Sequence, residues 1–202
     1  IKDLTTPLNW IMLYMAYFNH RYDRKLFKSI LKIDDSQLQK IENDLQNYKF
    51  MRRTIIKSNE FLHDELQRLI NEYIWDEIDR DYILRTDNTL NAIEKFYTPQ
   101  IEEKKNILLK IEIENLNSLF QFWNYFIELA SLQIERISYL ARIIENNEEK
   151  DLQSQLSSYL EDIRSSVMRI SVLSNNFFDR SAIMEIYLEG LRNFGLLEYV
   201  NF

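Results

Sequence analysis

Apolar residues recur at helical spacing along most of this chain. Leu8, Ile11, Met12, Met15 and Phe18 mark a first helix that ends near Asn19-His20. Pro7 suits its first helical position, with Thr6 as N-cap. Leu26, Phe27, Ile30 and Leu31 mark a second helix, from about Asp23 to Lys32. Asp34-Asp35-Ser36 is a turn and N-cap cluster. Leu38, Ile41 and Leu45 then mark a third helix, from Ser36 to Asn47. Here the pattern changes. Phe50 to Lys57 is a β-prone run, Ser58-Asn59 a turn, and Glu60-Phe61-Leu62 a second extended piece. Leu66, Leu69, Ile70 and Tyr73 restore the i, i+3, i+4, i+7 spacing of an amphipathic helix. Asp64 stands at its start, where a carboxylate accepts from the first-turn N–H groups. A further pattern runs through Tyr82, Ile83, Leu90, Ile93, Phe96 and Tyr97 to Pro99, which is expected to break or cap it.

The second half is more uniform. One stripe passes through Leu116, Leu119, Phe120, Trp123, Phe126, Ile127 and Ala130, and continues through Leu132, Ile134, Ile137, Leu140 and Ile144. Asn146-Asn147 is the predicted turn. Leu152, Leu156, Leu160, Ile163, Val167 and Ile170 mark a helix over about 150–172, with a break at Ser174-Asn175-Asn176. The last helix spans Asp179 to about Asn193 and stops at Gly195, a C-terminal cap signal. No 34-residue repeat is evident.

Three helices followed by a two-stranded wing is the order of a winged helix. The expected fold is therefore mainly α: an N-terminal winged helix with a small β wing and trailing helix over 1–100. A helical bundle or short helical-hairpin solenoid follows over 101–202. Composition agrees with the helical part. The chain has only two Gly and two Pro in 202 residues, too few for the glycine positions of a Rossmann domain or a phosphate loop. It has no Cys, hence no disulfide and no thiolate metal site. No run of 18 apolar residues suggests a membrane span, and IKDLTTPLNW does not resemble a signal peptide. The expected location is cytoplasmic. A start at Ile rather than Met suggests a fragment or a processed product.

Charge is uneven. The net charge is −7, yet 20–58 holds ten basic and five acidic residues, a local +5. A basic segment on an acidic body is a candidate polyanion site, and a solvated Lys-rich face is the plainer reading. In a DNA-binding winged helix, Lys40 and Asn43 on the third helix and Arg52 and Arg53 in the wing would meet nucleic acid. Glu42 and Asp44 beside them would repel phosphate.

Candidate catalytic chemistry is sparse. His20 and His63 are the only histidines, too few for a histidine-rich metal centre. No phosphate-loop, dinucleotide or nucleophile-elbow motif occurs. No catalytic residue, metal ligand or cofactor is assigned to this chain. Phe120, Phe122, Trp123, Tyr125 and Phe126 could line a pocket, but at helical spacing they read as core.

The stretch from Pro7 to about Glu103 resembles the winged-helix region that follows the nucleotide-binding domain in STAND-class, NB-ARC-like signalling ATPases. The opening PLNWIMLYMAYFNHRYDRKLFKSIL carries part of the likeness, as does the third helix followed by LQNYKFMRR. Phe61-Leu62-His63-Asp64-Glu65-Leu66, with Trp75 and Lys95-Phe96-Tyr97 downstream, carries the rest. The resemblance implies that His63 senses the phosphates of ADP while Asp64 caps and orients its helix. It implies ADP or ATP only where an ATPase core accompanies the chain. The expected function is then a non-catalytic regulatory and interaction module. Its winged helix would dock on a nucleotide-binding domain, and its helical half would bind a protein partner, with oligomerisation open. The alternative is a winged-helix DNA-binding regulator with a helical dimerisation or effector domain.

Overall fold

A computed structural model describes residues 7–18, 24–46, 51–53, 60–62, 64–81, 83–146, 150–174 and 177–197, with backbone alone at 46, 51–53, 60–62, 146 and 150. The chain divides into two compact units, Ile1–Ile93 and Glu94–Phe202.

The first unit is organised around α1 (Pro7–Tyr17). Its sequence, PLNWIMLYMAY, is apolar almost all round, and such a helix is buried on every side. Ile11, Met15 and Ala16 are fully enclosed, and Leu13, Tyr14 and Tyr17 nearly so. The stripe read from the sequence is thus too narrow. Leu8 and Met12 are only half-buried, while Leu13, Tyr14 and Ala16, off that stripe, are core. Burial pushes the Tyr14 hydroxyl up to about 12, against a hydrogen bond with Thr89 that lowers it.

Two helices pack on α1: α2 (Arg24–Leu31) and α3 (Asp35–Gln46). They bury Leu26, Phe27, Leu38 and Leu45. A reciprocal cap starts α3. The Asp34 carboxylate accepts from the Gln37 N–H at 2.8 Å, and Gln37 Oε1 accepts from the Asp34 N–H at 3.1 Å. This satisfies two orphan donors of the first turn. The backbone bond from Gln37, with the Ser36 hydroxyl, holds Asp34 below its ordinary value.

Extended pairing among the described residues is confined to β1 (Met51–Arg53) and β2 (Glu60–Leu62), antiparallel with Arg52 opposite Phe61. The helical track after them is broken. It runs as α4 (Asp64–Leu69), a π-helical turn over Ile70–Ile74, and α5 (Trp75–Ile78). The predicted stripe faces inward only in part: Ile70 is buried and Leu66 half-buried, whereas Leu69 is 39% exposed and Tyr73 60% exposed. A second row, Gln67, Asn71 and Trp75, also turns toward α1, and each donates to one of its backbone carbonyls. Gln67 and Asn71 reach Ala16 at 3.2 and 3.0 Å, and the Trp75 indole reaches Leu13 at 3.2 Å. The Ala16 carbonyl lies in the last turn of α1, where a helix leaves its carbonyls without intrahelical partners. Beyond α5, buried Asp79 accepts from the N–H groups of Leu84 and Arg85 and from the Arg85 guanidinium. It thereby caps a second π-helical turn, Leu84–Asn88.

These features correct the winged-helix expectation for 1–100. The unit is a helical cluster around α1, whose residues 13–17 are all buried. Its strands are three residues each, and a lone two-stranded ladder of that length is not independently stable. What fastens the segment after β2 to α1 is the packing of buried Trp75 together with the side-chain bonds from Gln67, Asn71 and Trp75. The fold class is mainly α-helical, and the described residues form no winged-helix module.

Pro99 neither breaks nor caps its helix. α6 runs unbroken from Thr89 to Leu108 with Pro99 inside it. The missing Pro99 N–H falls on an exposed face, where water can meet the unpaired carbonyl of exposed Lys95. The second unit is completed by α7 (Leu116–Asn146), α8 (Lys150–Leu173) and α9 (Arg180–Asn193), which pack pairwise on one another. Phe122, Phe126, Leu140, Ile163, Ile183 and Leu191 form their common core. Asn115 caps α7 by accepting from the Ser118 N–H at 3.0 Å. Past α9, the Leu196 N–H bonds the Leu191 carbonyl and the Gly195 N–H bonds the Arg192 carbonyl, both at 2.9 Å. This is a Schellman closure, with Leu196 packed beneath it. Gly195 has φ +73°. Its missing Cβ would meet nothing within 4 Å, so Gly195→Ala is expected to cost only the left-handed backbone penalty. That penalty is about 1 kcal/mol, measurable by urea unfolding, and Gly195→Asn is expected to cost less. No described helix is long and apolar enough to cross a membrane.

Candidate functional site

The inner face of the second unit carries a polar hub at Asp162. Lys105 of α6 reaches one carboxylate oxygen at 2.6 Å, while Gln133 and Arg136 of α7 reach the other at 3.0 and 3.1 Å. Gln133 also donates to Ser166 at 3.0 Å and accepts from the Tyr187 hydroxyl at 2.6 Å. Four helices are therefore tied through two side chains. Burial alone would push the Asp162 carboxyl up. The hydrogen bonds from Lys105 and Gln133, with the charges of Lys105 and Arg136, outweigh it and hold the group below its ordinary value. Burial pushes the Arg136 guanidinium down despite Asp162, and the guanidinium lies 3.9 Å from the centre of the Tyr159 ring. Burial, helped by the Asp162 charge, pushes the Tyr187 hydroxyl up. The Arg136 Nε stays buried without a hydrogen-bond partner among the described residues, but the bonds through Asp162 and Gln133 still tie the register of the four helices.

The outward seam between α7 and α9 is different. A groove of about 580 Å³ opens there. Its floor holds Ile127, Ile134 and Ile186, and small residues, Ala130, Ser131, Ala182 and Gly190, keep it open. Gly190 marks a close approach of the two helices, since a Cβ there would lie 2.3 Å from Ile134 Cδ1. Glu185 and Glu189 lie along the groove, and no Lys or Arg lines it. Glu189 pairs with Arg192, whereas Glu185 is exposed and makes no ion pair among the described residues. The unit as a whole, 94–202, holds 11 basic and 17 acidic residues, a net −6.

The chain matches no family model, no curated protein and no solved structure.

The resemblance to the STAND-class region is accordingly corrected. It required a winged helix, and the first unit is instead the helical cluster described above. The assignment as a regulatory module of such an ATPase falls with it, and so does the DNA-binding alternative. His63, like His20, lies outside the described residues. Asp64 is the first residue of α4 and is exposed. Lys40 and Asn43 are exposed on α3, and Arg52 and Arg53 belong to β1. Two cations of the basic segment are spent internally. Arg24 pairs with Glu42 at 2.9 Å and Asp35 at 3.2 Å, and Lys28 pairs with Asp35 at 2.5 Å.

Within the aromatic cluster, Phe122 and Phe126 are fully buried, and Trp123 packs 4.6 Å from Phe178. Phe120 is 63% exposed. The groove escaped the sequence reading because Ile127, Ala130 and Ile134 read as one core stripe, and Ser131, Ala182 and Gly190 leave little mark in such a pattern. The available signal was the small residue at 130 and again at 182 and 190, each at a helix–helix seam.

Proposed function

We propose that this chain is a non-catalytic interaction module whose α7–α9 groove takes an amphipathic helix of a protein partner, one that carries Lys or Arg beside its apolar stripe. The observation behind this reading is the groove itself: an apolar floor, small walls and an acidic rim along two packed helices. A helix laid in a groove places i, i+3, i+4 and i+7 anchors on such a floor. Small walls allow a close axial approach, and the rim favours a basic partner and speeds its encounter. The proposed compartment is the cytoplasm, since a chain without Cys needs no oxidising environment to fold.

The test places a photo-cross-linking residue at Ser131, in the groove, and in a control at exposed Ser157 on α8, in the cells that make the protein. The expected result is one dominant protein adduct at 131, absent at 157, that maps to a basic helical segment. Equal yields at both positions, or an adduct on an acidic or extended segment, would overturn the reading.

A further inference from the structure

A second cavity, of about 140 Å³, lies between α6, α7 and α8, away from the α7–α9 groove. Its inner wall is apolar: Leu108, Leu129 and Ile170 are each at most 2% exposed. Its mouth is not. Ser165 and Arg169, one helical turn apart on α8, are exposed and line the same cavity. Neither makes a side-chain hydrogen bond or ion pair among the described residues. Lys105 also lines it but is held by Asp162 and Glu102. Asp162 contributes an anion, and its two oxygens already accept from Lys105, Gln133 and Arg136. The groups at the mouth without a protein partner among the described residues are thus an exposed hydroxyl and an exposed guanidinium, beside the aliphatic wall of Leu108, Leu129 and Ile170; Ser166, which also lines the cavity, is bonded to the Asp162 carbonyl.

We infer that this cavity is a binding site for a small aliphatic carboxylate. The carboxylate meets Arg169 and Ser165 at the mouth, and the chain enters between Leu108, Leu129 and Ile170. A guanidinium matches a carboxylate with two parallel donors, and each methylene buried inside strengthens the binding. The volume is below the 300–1,000 Å³ common for drug-sized ligands, which limits the ligand to a short chain. A nucleotide does not fit.

The experiment titrates hexanoate into the full chain and follows amide shifts by NMR, with hexylamine and inorganic phosphate as comparison probes. The expected result is saturable binding of hexanoate with shifts centred on 105–108, 129 and 165–173. Hexylamine and phosphate are expected to bind at least tenfold more weakly. Arg169→Gln, at an exposed position where folding is undisturbed, is expected to weaken hexanoate at least fivefold. Ser165→Ala is expected to weaken it about twofold. No saturable shift, equal binding of hexylamine or phosphate, or unchanged affinity in Arg169→Gln would overturn the inference.

Discussion

Trp75→Ala lowers the unfolding free energy by about 3–5 kcal/mol, the range for truncating a fully buried aromatic residue. Trp75 has no exposed surface. Its ring packs 5.5 Å from Tyr14 and 6.0 Å from Tyr17, and Arg85 sits 5.4 Å from its centre. The substitution leaves a cavity beneath α1 and removes the indole bond to the Leu13 carbonyl. Trp75→Phe keeps most of the volume and loses the bond, so a cost of about 1–2 kcal/mol is expected. Urea unfolding followed by far-ultraviolet circular dichroism measures both. Equal costs for the two variants would show that the cavity does not matter, contrary to the central place given to α1.

Asp162→Ala is expected to cost about 2–4 kcal/mol. Removing one partner of a buried ion pair costs 3–5 kcal/mol, and the lower range reflects a side chain 25% exposed. Its loss leaves Arg136, only 7% exposed, without its carboxylate, and takes one bond each from Lys105 and Gln133. The pH dependence has a definite sign. The folded Asp162 value lies below the ordinary 3.8. Its contribution is therefore complete above that value and is lost as pH falls through the lower folded value. Asp34 and Asp35 act in the same direction. Stability is expected to fall on acidification below about pH 4, and Asp162→Asn is expected to be less stable at pH 7 and to show a shallower acid limb. An acid limb unchanged in Asp162→Asn would remove Asp162 from the account.

The helical half was legible because its helices obey one rule. Leu152, Leu156, Ile163, Val167 and Ile170 repeat at helical spacing, and all are buried. Gly195 announced its cap for a backbone reason that needs no tertiary information. The first unit was harder because linear order does not say which helix is central. Three helices, two extended pieces and another helix suit a winged helix, but they also suit a cluster around α1, and the all-round apolarity of 7–17 was the discriminating sign. The π-helical turn at Ile70–Ile74 hid part of the inward face: Ile70 was legible, but Gln67 and Asn71 look like surface residues until the Ala16 carbonyl is placed opposite them. Pro99 was misread because a proline on an exposed face leaves only its own helix to resist it. Gln133 and Arg136 likewise read as surface polar residues, and their burial follows only from the donors and acceptors that other helices bring.

The most direct test of the proposed function is calorimetric titration of the cross-linked partner's helical segment into the intact chain and into a variant carrying Ala182→Arg and Glu185→Lys. Both positions are exposed on α9, so the fold is preserved while the groove is narrowed and its rim reversed. A drop in affinity of at least tenfold, about 1.4 kcal/mol, is the predicted result. An unchanged Kd would contradict the α7–α9 groove as the interaction site.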